Sequence, residues 1–136
     1  MMSRKEKAIE NHNKGYNCAQ SVACAFCDIA GADEKEVFKS TEGFGLGMGC
    51  MEATCGAITG AATILGMMNS TGNLEKPDSK ARTYKLSREL VQTFKNKNQS
   101  IVCKDLKGIE NDKVLRSCQG CIEDAAEILE DILKKM

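Results

Sequence analysis

Eight cysteines in a chain of 136 residues are the groups with chemistry to offer. Four stand out by context. Cys18 opens a predicted helix, Cys55 opens a second, Cys103 ends the apolar stretch Ile101-Val102-Cys103, and Cys118 opens the last helix. In a first helical turn, unpaired N–H groups and the helix dipole favour a thiolate over a thiol, which makes Cys18 and Cys118 the expected reactive pair. The four are dispersed, so the local CxxC spacing of zinc ribbons does not apply. Cys24 and Cys27 do spell CxxC, but mid-helix and with no βαβ pattern around them. A thioredoxin-type reading is weak there, and two small buried hydrophobes describe them better. Cys118 and Cys121 spell CQGC with no histidine after it, which excludes c-type haem attachment.

The balance of the chain narrows the chemistry further. Nineteen basic and nineteen acidic residues cancel, so neither nucleic acid nor an anionic membrane is an expected partner. The start, MMSRKEKAIE, is charged and lacks the apolar core of a signal peptide. The longest near-apolar run, Cys55 to Met68, falls short of the ~20 residues that span a bilayer. A cytoplasmic setting is the expectation, and there thiols stay reduced and serve metal binding or redox chemistry. His12, the only histidine, sits in the polar stretch NHNKG and reads as a solvated residue. No convincing acid–base partner for enzymatic turnover is visible.

These cysteines need elements to position them. Stripes of period 3.6 recur and no sustained period-two alternation does, so the expected fold is all-α, a single domain over 1–136 of about six helices. The predicted helices are Ser3 to Lys14, Cys18 to Ala30, Asp33 to Ser40, Glu52 to Met68, Asp78 to Lys97 and Cys118 to Lys135. Asn17 and Ser117 are the expected caps of the second and last. Cys18, Val22, Phe26 and Ile29 form one inward stripe; Ala81, Tyr84, Leu90, Val91 and Phe94 form another. In the last helix, Ile122, Ala125, Leu129, Ile132 and Met136 face in, and Glu123, Asp124, Glu127, Glu130 and Asp131 face out.

The organising stretch is EGFGLGMGCMEATCGAITGAATILGMM, Glu42 to Met68. Glycine at 43, 45, 47 and 49 suggests a loop pressed against a cysteine centre. A Rossmann or P-loop reading fails, because a helix precedes the loop and no GK[ST] follows. Gly56, Ala57, Gly60 and Ala61 share one side of the next helix, a GxxxG face that another element can approach closely. This helix is expected at the centre of the bundle.

Taken together, GYNCAQ (Gly15 to Gln20), the glycine run, CGAITG (Cys55 to Gly60), Cys103 in its SIxC context and Cys118 ahead of Glu123-Asp124-Ala125-Ala126 resemble the small redox-active proteins named for a C-CGAxxG-C-C pattern. The resemblance covers nearly the whole chain. It implies a helical domain with a four-cysteine centre at Cys18, Cys55, Cys103 and Cys118, with Gly56 and Gly60 beside it. A similar domain in split-Soret-type cytochromes holds an iron–sulfur cluster. Cys24, Cys27, Cys50 and Cys121 are extra to the pattern, and Cys50 or Cys121 could replace a neighbour or act as a resolving thiol.

Three readings follow. The four thiolates bind a [2Fe–2S] cluster for electron transfer, the first choice. Alternatively they cycle between dithiol and disulfide without metal. In the third they hold a structural zinc in an interaction module. Packing alone is the bland alternative. The expected partners are a redox partner protein and, as a possibility left open, a second copy in a homo-oligomer.

Overall fold

The computed structural model describes residues 2–136. It is all-helical: α1 Arg4–Asn13, α2 Cys18–Cys24, α3 Glu34–Thr41, α4 Gly56–Asn69, α5 Lys80–Asn98, α6 Cys103–Lys107 and α7 Cys118–Lys135. The count exceeds the expected six because α6, a short helix, grows out of the segment that carries Cys103. Among the described residues no helix is long and apolar enough to cross a membrane.

Local chemistry sets the helix starts. Ser3, Asp33 and Ser117 each cap a helix by accepting from the third backbone N–H beyond, and Asn17 completes a reciprocal capping box with Gln20. Capping fixes where Cys18 and Cys118 begin their helices.

Helix α2 is shorter than its stripe predicts. After Cys24 the chain tightens into turns, with Ala25 N–H on Val22 O and Phe26 N–H on Ala23 O, both at 3.1 Å. Phe26 stays buried, but Ile29 rotates off the stripe and is 43% exposed. Helix α4 begins at Gly56 and not at Glu52. The preceding backbone pairs elsewhere: Cys55 N–H donates to Ile101 O at 2.7 Å, Cys103 N–H donates to Ala53 O at 3.1 Å, and Thr54 bridges Val102 antiparallel. That pairing ties Cys103 to Cys55.

The GxxxG face does what its shape allows. Helix α2 crosses α4 there, and a Cβ on Gly60 would stand 2.9 Å from Ala19 Cα, an approach real Cβ atoms do not make. One turn earlier, a Cβ on Gly56 would lie 3.2 Å from Ala19 N and 3.4 Å from Cys18 Cβ. Missing side chains on α4 therefore seat the first turn of α2. Around this crossing the core fills with Phe26, Ile58, Leu65, Leu90, Phe94 and Leu129. Burial of large apolar groups from α2, α4, α5 and α7 is the main stabilising contribution.

Two predicted faces need correction. On α5, Leu90 and Phe94 are buried, but Ala81 and Tyr84 lie exposed, because the N-terminal half of α5 reaches beyond the core. On α7, Met136 is exposed just past the last turn, and Asp124, expected outside, is only 2% exposed. Partners explain Asp124: Arg116, Lys97 and Asn98 converge on its carboxylate.

Candidate functional site

Cys18, Cys55, Cys103 and Cys118 line one cavity of about 200 Å³, and Cys121 joins them. Each arrives on a different element. Cys18 and Cys118 occupy the first turns of α2 and α7, held by the Asn17 and Ser117 caps. Cys55 stands just before α4, and Cys103 opens α6 across the short paired segment. Cys121 lies one turn into α7, buried, its thiol 3.9 Å from Arg116 O.

Both glycine features press on this cavity. Gly47 sits at φ +54°, and a Cβ there would stand 2.6 Å from Cys103 Cβ. Leu46, Met48 and Met51 also hold positive φ although none is glycine. Such conformations persist only where the surroundings over-determine them, as at functional loops. Leu46, Gly47 and Gly56 are all wall residues. Gly60 is not; it faces Ala19 and serves the helix crossing.

The sulfurs are grouped in pairs. Cys18 and Cys118 share a hydrogen bond that drives their acidities apart. It lowers Cys118 to about 5, helped by a hydrogen bond from the Lys107 ammonium and by the nearby His12. The same bond, with burial, raises Cys18. Cys55 and Cys121 behave alike. Their hydrogen bond lowers Cys55, aided by the Ala57 and Ile58 N–H groups, and raises Cys121. Desolvation raises Cys103. Two neighbouring thiols cannot both ionise cheaply in a low-dielectric wall, so within each pair one sulfur becomes the stronger acid and the other the weaker.

This corrects the expectation for Cys18. Its first-turn position favours a thiolate, but contact with Cys118 and burial raise it, while Cys18 and Lys107 together lower Cys118. His12 is also misplaced by the sequence reading. It is half-buried in the cavity wall, with Nδ1 3.2 Å from Tyr16 O. The turn from α1 into α2 folds back on itself, Tyr16 N–H donating to Asn11 O at 3.2 Å, and this carries His12 inward. Lys107 and Arg116 were not foreseen either; nothing in their spacing points at a cysteine.

The remaining cysteines lie elsewhere. Cys24 and Cys27 are buried near α3, where Cys24 is pushed up to about 12 by desolvation and Cys27 is raised by the same cause. Cys50 is exposed on the glycine loop, its thiol 3.7 Å from Gly47 O. All eight cysteines are free thiols.

Five thiols on one cavity are the right donor type, and enough of them, for a thiolate-held iron–sulfur cluster. For a single metal ion the arrangement differs: among the described residues no group of three or more His, Cys, Asp or Glu side chains is placed to hold one.

No match was found among the curated proteins or the solved structures. Comparison with protein families matches residues 16–132 to the family described as "Putative redox-active protein (C_GCAxxG_C_C)". The match begins at Tyr16, before the Cys18 cap, and ends beyond Cys121, so every cysteine on the cavity lies inside it. With most of its length matched, the chain belongs to the C_GCAxxG_C_C family of redox-active proteins.

Proposed function

We propose that the protein is a small thiol redox carrier whose working couple is Cys18 and Cys118. The observation that carries this is placement: Cys18 and Cys118, each in the first turn of a capped helix, meet on one open cavity with Lys107 on its wall, and Cys118 is the more acidic of the two. A disulfide forms when a thiolate attacks an oxidised sulfur and a neighbouring thiol then displaces it. Cys118 is the attacking sulfur. Cys18 is the resolving one, and it gives up its proton as it closes the bond. Loss of two electrons and one proton converts this pair to the disulfide.

A second reading rests on a separate observation. A dithiol needs two sulfurs, yet Cys55, Cys103 and Cys121 face the same cavity. Cys18, Cys55 and Cys118, with Cys103 or Cys121, would hold a [2Fe–2S] cluster, and that group would supply one-electron transfer. Gly47 and Gly56 would keep the backbone close to it.

Anaerobic purification decides between the two. The dithiol reading expects colourless, iron-free protein with eight titratable thiols. Mild oxidation with a diazene dicarboxamide should then give a Cys18–Cys118 disulfide by peptide mapping, with Cys24 and Cys27 still free. Brown protein with iron and acid-labile sulfide would establish the cluster instead. A Cys24–Cys27 disulfide forming first would place the centre elsewhere.

A further inference from the structure

We infer that the oxidant accepted by this cavity is a small disulfide bearing negative charge, such as a carboxylate close to its S–S bond. The inference rests on the dithiol reading above and adds the substrate class.

Size comes first. A cavity of about 200 Å³ is little larger than the ~150 Å³ that encloses one benzene ring. It has room for one half of a low-molecular-weight disulfide.

Charge decides the class. His12, Lys107 and Arg116 reach the wall, and no carboxylate does. Glu123 and Asp124 are turned onto Arg116, with Asp124 also taken by Lys97. Arg116 is thus largely neutralised, which leaves Lys107 as the decisive cation. Lys107 stands on the cavity wall beside Cys118.

The reaction frees it. Cys118 S⁻ donates its electron pair to one sulfur of R–S–S–R, forming Cys118–S–S–R and expelling RS⁻. Once the Cys118 charge is spent, Lys107 has no anionic partner and is available to the carboxylate of the bound half. Cys18 then loses its proton and attacks Cys118 sulfur, forming the Cys18–Cys118 disulfide and expelling the second RS⁻. The released proton neutralises one leaving thiolate. Two electrons pass from the protein to the small disulfide. A cationic R group would instead meet Lys107 uncovered and be repelled.

The test uses the reduced full chain at neutral pH. Dithiodiglycolate, 2-hydroxyethyl disulfide and cystamine carry negative, zero and positive charge at similar size. Rates of Cys18–Cys118 disulfide formation, followed by mass spectrometry, are each divided by the rate of the same reagent with a simple thiol. The expected order is anionic, neutral, cationic, with about tenfold between the extremes at low salt and less at high salt. K107Q should flatten the order and K107R should keep it. K35Q, on an exposed lysine of α3, should leave it unchanged. Equal rates, or a cationic preference, overturn the inference while leaving the dithiol reading standing. Failure of all three reagents to produce the Cys18–Cys118 disulfide overturns both.

Discussion

Cys18 and Cys118 open two different helices and meet on one cavity, where Cys118 is the more acidic sulfur. Two first turns aimed at one cavity would each favour negative charge, but two thiolates in contact repel. Burial of Cys18 and the Lys107 ammonium beside Cys118 break the symmetry.

Reactivity should follow that asymmetry. Cys118 ionises at about 5, so it remains a thiolate in mild acid, where ordinary thiols, with values ~8.5, are protonated. At about pH 6 a small alkylating reagent should label Cys118 in the folded protein and spare Cys18 and Cys24. C18A removes the hydrogen bond that lowers Cys118 most. It should move the labelling profile to higher pH, and K107Q should move it the same way by less. Preferential labelling of Cys24 in the native state would contradict this.

Two glycines on α4 should respond oppositely to alanine. At Gly60 a methyl group would drive into the Ala19 backbone, which cannot yield without moving α2 and Cys18. G60A is expected to destabilise by about 2 kcal/mol, as overpacked cores do, despite alanine's better helix propensity. At Gly66, in the same helix, a Cβ meets nothing within 4 Å. G66A should therefore stabilise by roughly 0.5–1 kcal/mol. Urea denaturation of both variants measures the contrast. A harmless G60A would show that the α2–α4 crossing is looser than the contact distances require.

Much of this site was legible in the sequence because its signals are local. Asn17 and Ser117 are short polar residues just ahead of apolar-periodic runs, and such residues cap helices. The glycines of CGAITG mark a face with nothing on it, and close packing is the use of such a face. Positions fixed by distant contacts were not legible. Ile29 follows the arithmetic of a straight helix, yet the chain leaves helical geometry after Cys24. Glu52 to Thr54 has helix-compatible residues, but its backbone is claimed by Ile101 to Cys103. Lys107 and His12 carry no local mark of the cavity. They reach it because α6 docks against the Gly47–Met51 segment of the glycine loop and the α1–α2 turn folds back.

Asp124 is the clearest such case. On a helical wheel it belongs with Glu123 and Glu127 on the wet face, but its carboxylate lies inside a shell of donors. Arg116 Nε donates at 3.0 Å and Asn98 Nδ2 at 3.0 Å, while Lys97 Nζ lies at 2.8 Å. Gly120 makes room for this, since a Cβ there would come within 2.5 Å of Arg116 Cζ. Burial alone would raise the Asp124 carboxyl; hydrogen bonds from Arg116, Lys97 and Asn98 more than offset it and hold it below the usual carboxylate value. Its folded pKa is depressed, so its contribution is fully present above ~3.9 and is lost as pH falls through the folded value. D124A should remove it at neutral pH, costing about 3 kcal/mol. That is the low end for breaking a buried pair, because Arg116 and Lys97 can turn back to water. The loss should reach the cavity too. Arg116 O accepts from the Cys121 thiol, and a freed Arg116 loosens that wall. In a double-mutant cycle, D124A with R116A should destabilise by clearly less than the sum of the single variants. Strict additivity would mean that Asp124 is held by Lys97 and Asn98 alone and has no hand in placing Arg116 at the cysteines.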